Sequence, residues 1–260
     1  MQPTHTPHRP VPLLLAVPYT AVATVIFFGT ALLTLLVILP LPSLPLRRRI
    51  VRLGARTGLA LVGMRLEIRN AERLPAGPCV VVANHASYID GVLLKAALPA
   101  RFAFVIKREM NDVPLAGLLL RRIGAEFVDR SKGRRGARDA LRVLRTAANG
   151  TSLAFFPEGT FEPVPGLLRF HSGAFVTAVR NGMPIVPMVI HHARRALPPH
   201  LLWPWPTRIV IDVFEPMTSD ATPPDQAVVE LRRRARARML ERLGEPDLAP
   251  DHAADNAADL

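Results

Sequence analysis

The sequence predicts an α/β domain with a mostly parallel sheet flanked by helices, preceded by an N-terminal membrane-associated helical segment. Two observations lead to this prediction. Residues 11–46 contain no charged side chain, whereas after residue 63 short runs rich in Val, Ile and Phe alternate with helical patterns. Alternation of strands and helices is the pattern of a domain built on parallel strands.

The first segment divides into a polar leader and an apolar run. Residues 1–12 are rich in proline and polar side chains, and we expect them to be disordered. The run of residues 13–39 would be roughly 40 Å long as a helix, against a hydrocarbon thickness of ~30 Å. It is therefore long enough to span a bilayer or to enter one obliquely. A cleaved signal peptide is the alternative, although its apolar region would be unusually long.

Arginines follow the apolar run directly, within the sequence LRRRIVRLGAR. Arginines beside a membrane segment usually stay on the cytoplasmic side, so we expect the domain that follows to lie there. Residues 44–62 are apolar on one side and basic on the other. This pattern is typical of a helix in the headgroup region, or of an amphipathic helix docked on the domain. We assign residues 13–62 to membrane-anchoring helices.

The net charge of +12 limits the classes of partner. Such a charge attracts anionic membranes or nucleic acid. A nucleic-acid-binding protein is disfavoured because aromatic side chains are not interleaved with the basic ones, and the apolar N-terminus would be unexplained. The single cysteine excludes a disulfide within the chain and a cysteine metal cluster, and the eight histidines are scattered, so we expect no metal site.

Residues 63–244 carry the α/β pattern. The predicted strands are MRLEIR, PCVVVA, FAFVIK, AEFVD, TSLAFF, PIVPMVI and RIVIDVF. The predicted helices lie near residues 88–98, 113–123, 133–148, 172–181 and 225–243. A proline inside a strand, Pro187, predicts an edge or a bulge. Residues 245–260 are acidic and alanine-rich, and we expect a disordered tail.

The stretch VVANHASYID holds the clearest candidate for chemistry. A buried strand ends at Ala83, and α/β proteins place ligands just beyond the carboxyl ends of such strands. His85 lies there, and a turn with Ser87 as helix N-cap would let Asp90 fold back onto one imidazole nitrogen. A carboxylate so placed fixes the tautomer and makes the other nitrogen a better base. The competing interpretation is a capped helix with a solvated histidine.

Two more strands end in polar loops. SLAFFPEGT ends in Glu158, Gly159 and Thr160, where the glycine lets the backbone approach a ligand closely. GAEFVDR ends at Asp129 and Arg130. We expect these loops and the His85 loop to converge on one crevice.

With these motifs, the chain resembles the glycerophospholipid acyltransferase superfamily, and most closely the 1-acylglycerol-3-phosphate O-acyltransferases. NHASYID, GAEFVDR, FPEGT and IVPMVI match four motifs of that superfamily in order and spacing. The resemblance covers about residues 65–215.

The resemblance implies transfer of a fatty acyl group from acyl-CoA or acyl carrier protein to a lipid hydroxyl, with membrane lipids as partners and no resident cofactor. It makes His85 the general base and Asp90 the residue that orients it. No G-x-S-x-G nucleophile elbow occurs, which agrees with direct attack by the acceptor hydroxyl. Backbone amides near Gly159 are candidate oxyanion donors.

For the acceptor, 1-acylglycerol-3-phosphate is the first expectation, and Arg130 is the candidate phosphate ligand. Lys107 is a second candidate, or else a solvated lysine at a strand end. Glu158 is expected to accept a hydrogen bond from the acceptor hydroxyl, or to hold Arg130 or loop amides in place.

One departure matters for the acceptor. Many relatives carry arginine directly after E-G-T, where this chain has Phe161. Another lyso-lipid acceptor, such as a lyso-aminolipid, therefore remains open. A hydrolase that uses the same pair on water, and an inactive membrane-interaction protein, are the alternatives from other classes.

Overall fold

The computed structural model describes residues 13–129, 133–198 and 204–249. Over these residues the chain forms a seven-stranded sheet with helices on both faces. The strands are β1 (Arg65–Arg69), β2 (Val80–Ala83), β3 (Phe102–Lys107), β4 (Glu126–Val128), β5 (Ser152–Phe155), β6 (Ile185–His191) and β7 (Arg208–Val213). The helices are α1 (Leu13–Ile38), α2 (Leu44–Leu61), α3 (Asp90–Ala97), α4 (Ala116–Arg122), α5 (Arg134–Ala148), α6 (Gly173–Arg180), α7 (Ala193–Ala196) and α8 (Pro224–Leu243).

The strand order is β1-β7-β6-β2-β5-β3-β4, and every pair is parallel except β6 with β7. The α/β fold with a mostly parallel sheet is therefore confirmed. β2, β5 and β6 are neighbours, so their carboxyl ends lie side by side. β4 lies three places from β2, which separates the loop after β4 from the loop that carries His85.

Two apolar layers hold the sheet between the helices. Val81 and Ala83 of β2 face the layer that contains α3 residues, whereas Val80 and Val82 face the layer of α5, α6 and α8. All four are completely buried. A strand buried on both faces reads as a continuous apolar run, which explains why VVVA shows no alternation.

Pro187 is not at an edge, because β6 is an interior strand between β7 and β2. The alternative expectation, a bulge, is confirmed, because two residues of β6 (186–187) lie opposite three residues that follow β7 (214–216). The register explains why the proline is tolerated there. The ladder with β7 begins at Met188, and before it Ile185 forms an isolated bridge with Met217. The missing N–H of Pro187 falls in the gap between these two pairings, while its carbonyl accepts a hydrogen bond from Phe214 N at 3.0 Å.

Two arginines of α2 contact the domain. The sequence pattern alone did not decide whether α2 lies among lipid headgroups or docks on the domain. Arg48 is buried, and its guanidinium donates to the carbonyls of Ile123 at 2.8 Å and Gly124 at 3.2 Å, where α4 ends. Arg52 donates to the carbonyl of Ala96 at 3.3 Å, at the end of α3. Unpaired carbonyls at helix ends attract cations. Of the two expectations for α2, docking on the domain is thus the one that these arginines satisfy.

Candidate active site

His85 and Asp90 come together in the loop between β2 and α3. His85 Nδ1 lies 2.9 Å from Asp90 Oδ2. The same carboxylate oxygen accepts the backbone N–H groups of Ala86 at 2.6 Å and Ser87 at 2.8 Å. Asp90 is completely buried, whereas 19% of the His85 side chain is exposed. The two residues therefore have the arrangement that the spacing predicted.

The turn is built differently from the prediction. Ser87 is not the N-cap of α3, which begins at Asp90 after Ile89. Its hydroxyl instead donates to the carbonyl of Leu197 at 2.6 Å, which ties the His85 loop to the end of α7. Asp90 takes over the role of accepting the loop amides, because its short side chain at the first helical position can reach back to them.

The contact with Asp90 gives the two imidazole nitrogens of His85 different roles. With Nδ1 held by the Asp90 carboxylate, Nδ1 carries the proton and Nε2 presents a lone pair. A buried carboxylate on the far side stabilises the imidazolium that forms when Nε2 takes a proton. The pair can therefore act as a general base toward a hydroxyl placed at Nε2.

Asn84 anchors the strand end that carries His85, a role that the sequence reasoning did not assign. Its side chain donates to the Ile190 carbonyl at 3.2 Å and accepts from the Ile190 N–H at 2.7 Å. The last backbone pair of the β2–β6 ladder is Ala83 with Met188. Beyond it, the Asn84 side chain continues the pairing of β2 with β6. The sequence feature that could have indicated this role is the position of the asparagine in the N-H-x-x-x-x-D pattern, directly after a buried strand.

Glu158 lies beneath the His85 loop and bridges two backbone segments. Its carboxylate accepts the N–H of His85 at 2.6 Å through Oε1 and the N–H of Leu168 at 2.8 Å through Oε2. Only 4% of Glu158 is exposed. Burial raises the pKa of Glu158 to about 7, although the two backbone N–H groups act to lower it. Of the roles considered for Glu158, these contacts favour holding loop amides in place.

The neighbours of Glu158 are less suited to the roles expected of them. Gly159 adopts φ +79°, a conformation that glycine permits, and its N–H donates to the Phe156 carbonyl at 3.1 Å. An N–H engaged in that turn is poorly placed to stabilise an oxyanion. Thr160 is exposed on the same loop.

Aromatic rings surround the His85 imidazole. The Phe156 ring stacks on it with centroids 4.4 Å apart, and the Phe161 ring meets it edge-on at 4.6 Å. Tyr88, 63% exposed, packs edge-on against Phe161 at 4.8 Å. Phe161, noticed in the sequence only as a departure, therefore contacts the candidate base directly.

Of the two candidate phosphate ligands, the structure describes Lys107, whose described ion pair lies outside this cluster. Lys107 is exposed at the end of β3 and pairs with Glu109 at 3.3 Å. The sheet order places β3 two strands from β2. Arg130 lies outside the described residues, so its predicted role stays a prediction.

The comparisons with known proteins agree with the geometry. Residues 65–191 match the family model described as Acyltransferase. A 1-acyl-sn-glycerol-3-phosphate acyltransferase from Pseudomonas aeruginosa is 29% identical over 78% of this chain and 81% of its own length. The lyso-ornithine lipid O-acyltransferase of the same organism is 34% identical over 59% of this chain and 58% of its own length.

The fold is also shared. The crystal structure of the 1-acyl-sn-glycerophosphate (LPA) acyltransferase PlsC from Thermotoga maritima superposes with a TM-score of 0.70, covering 88% of this chain and 93% of that one at 21% identity. Family model, relatives and fold point the same way. Residues 65–191 therefore form an acyltransferase domain, and the protein is an acyltransferase similar to the 1-acyl-sn-glycerol-3-phosphate acyltransferases.

Proposed function

We propose that this enzyme transfers a fatty acyl group from an acyl thioester to the free hydroxyl of a lysophospholipid. The first candidate acceptor is 1-acylglycerol-3-phosphate, which would give phosphatidic acid. The observation that carries the proposal is the His85–Asp90 pair, held 2.9 Å apart at the carboxyl end of a buried strand. The similarity to these acyltransferases supports the lipid class of the substrates.

In this reaction Nε2 of His85 takes the proton of the acceptor hydroxyl as its oxygen attacks the thioester carbonyl. The tetrahedral intermediate then expels the thiolate, which recovers that proton from His85. Asp90 keeps Nδ1 protonated and offsets the charge of the imidazolium. The products are the acylated lipid and a free thiol, from acyl-CoA or acyl carrier protein. No resident cofactor takes part in these steps.

The second candidate acceptor is a lyso-aminolipid, and Phe161 favours it. A cationic amine gains energy over an aromatic face, and Phe161 with Tyr88 forms an aromatic wall beside His85. A phosphate gains nothing from such a wall, so lysophosphatidate binding would depend on Arg130, for which guanidinium is well suited. The relative that is named a lyso-ornithine lipid O-acyltransferase gives this alternative a precedent.

An acceptor panel separates the two candidates. Purified enzyme with a labelled acyl donor should acylate lysophosphatidate, and Arg130→Ala should raise its KM roughly tenfold because a charged hydrogen bond is lost. Phe161→Arg should lower that KM and raise the KM for lyso-ornithine lipid. If wild-type enzyme uses only the aminolipid, the second candidate replaces the first, and an acceptor-independent release of free fatty acid would indicate a hydrolase.

We also propose that residues 13–62 anchor the enzyme in one leaflet without crossing the bilayer. One helix within the described residues, Val17–Ile38, is long and apolar enough to cross. Both of its ends nevertheless contact the same domain. Tyr19 packs on Trp205 with ring centroids 5.6 Å apart, and Ile38 is buried against Ile123. A helix perpendicular to the membrane would separate these ends by roughly 30 Å across the bilayer.

The exposed face of α1 fits this placement. Its large exposed side chains are apolar: Val17, Val22, Val25, Phe28, Leu32, Leu33, Leu36 and Val37. On α2, the large apolar side chains of Leu46, Leu53 and Leu61 are exposed as well. An exposed apolar surface of this extent marks a membrane-contacting face. We place the domain on the cytoplasmic side because arginines follow the apolar run.

Thiol labelling of membrane vesicles tests the topology, because the natural Cys79 is completely buried. Thr6→Cys lies upstream of α1, and Gly77→Cys reports the exposed surface of the domain. A membrane-impermeant maleimide should label both from the same side, which is the cytoplasmic side. Labelling from opposite sides would show that α1 crosses the bilayer.

A further inference from the structure

The segment that follows α8 is bound to the loop beside the active site. Gly166 N donates to the Glu245 carboxylate at 2.8 Å, and Leu167 N donates to the Pro246 carbonyl at 3.0 Å. Leu248 N returns a bond to the Leu167 carbonyl at 3.2 Å. Residues 245–248, which the sequence analysis assigned to a disordered tail, thus pair with the loop. We call these four residues the C-terminal clasp.

Charged side chains secure the clasp from α8 and α7. Arg236 donates to Asp247 Oδ2 at 2.9 Å and to the Leu167 carbonyl at 2.8 Å. Arg194 lies 3.6 Å from the Glu245 carboxylate. Leu167 and Asp247 form an isolated β-bridge between the loop and the clasp. Because the Arg236 guanidinium bonds both segments and its donors lie in one rigid plane, it fixes their register.

Apolar packing closes the same contact. Leu167 is completely buried, and Gly166 adopts φ +150° directly against Leu248. A Cβ on Gly166 would lie 2.4 Å from Cγ of Leu248. The clasp therefore packs onto the loop too closely for any side chain at Gly166.

A continuous chain of hydrogen bonds connects this loop to the candidate base. Leu168 follows the clasped residues, and its N–H donates to Glu158, whose other oxygen accepts the N–H of His85. We propose that the C-terminal clasp is a positioning element, with Glu245 and Asp247 as positioning residues. By holding residues 166–168, it holds Glu158 and thereby the backbone of His85. This inference rests on the proposed function of His85.

The test is a Glu245→Ala/Asp247→Ala double variant of the full chain. Its kcat should fall roughly tenfold, because misplacement of a reacting group by a fraction of an ångström is costly. The KM of acceptor and donor should stay within about twofold, since the clasp touches neither, and the Leu168 amide should exchange with deuterium faster. Glu241→Ala is the matched control. It removes an exposed carboxylate that pairs with Arg238 at 3.0 Å on the same helix.

The conservative Glu245→Gln/Asp247→Asn variant should recover part of the lost kcat. The amide oxygen at position 245 still accepts from Gly166 N, and the amide at position 247 keeps one of the two bonds that Arg236 donates to Asp247. If the alanine variant folds poorly, Glu245→Ala alone provides the smaller change. Unchanged kcat in the alanine variants, or an equal loss in Glu241→Ala, would overturn the proposal. Activity retained in His85→Ala would instead overturn the proposed function. The clasp variants keep His85, so their kinetics test the positioning role of the clasp separately.

Discussion

Replacement of His85 by alanine is expected to lower kcat for acyl transfer by about a thousandfold, the size typical of a lost general base. The reason is that Nε2 of His85 is the group presented to the acceptor, with Nδ1 held by Asp90 at 2.9 Å. The measurement is transfer of labelled acyl group to lysophosphatidate and to lyso-ornithine lipid. Circular dichroism should show an intact fold, because His85 lies in a loop and is partly exposed.

The chain offers a matched control in a second His–Asp pair. His191 Nε2 lies 2.9 Å from Asp212 Oδ2, and its side chain is also 19% exposed. Asp212 additionally pairs with Arg242 at 2.7 Å, which gives this pair a structural role. His191→Ala should keep kcat within about threefold of wild type. Equal losses in the two variants, or turnover retained without His85, would remove His85 as the base.

Glu158→Gln is expected to lower kcat ten- to a hundredfold. A loss of this size is the typical cost of misplacing a catalytic group. Glutamine has one carbonyl oxygen, so it can accept the N–H of His85 or of Leu168 but not both. The other N–H then faces an amide donor in a buried site, which costs about 1–3 kcal/mol. Steady-state kinetics should show this loss mainly in kcat, because the two bonds position His85 rather than bind substrate.

The same variant should change how stability depends on pH. Burial raises the folded-state pKa of Glu158 from 4.5 to about 7, so between these values the folded protein binds more protons than the unfolded chain. The stability contributed by Glu158 is therefore complete below pH 4.5 and is lost as pH rises toward 7, by about 3 kcal/mol. Asp139 and Asp212 have lowered pKa values, so their opposite effect is confined to pH below 3.8.

Denaturant unfolding at several pH values between 4.5 and 7.5 checks this expectation. Wild-type protein should lose stability relative to Glu158→Gln as pH rises through that range. Glu126→Gln is the control, since its carboxylate also accepts two bonds, from Arg142 and Thr146, but lies on β4 at the sheet edge. Parallel pH profiles for wild type and Glu158→Gln would show that Glu158 is ionised across the whole range.

The elements and the His85–Asp90 pair were accessible from the sequence because the signals that define them are local. A run of Val, Ile and Phe that is buried on both faces of a sheet appears as a short apolar block, and all seven predicted strands are present. Asp90 follows His85 by five positions, so one turn decides whether they meet. The β-strand end and the helix start of that turn are both visible in VVANHASYID.

The tertiary structure alone decided the contacts between segments far apart in the chain. Glu158 is 73 residues from His85, and Arg48 is 75 residues from Ile123, so no periodicity relates them. Such pairs depend on strand order, which the sequence leaves open among many topologies. The gap that accommodates Pro187 and the clasp on residues 166–168 depend on it for the same reason. Local hydrogen bonding and apolar spacing thus determined the elements and the catalytic turn, whereas burial between distant segments decided what holds that turn in place.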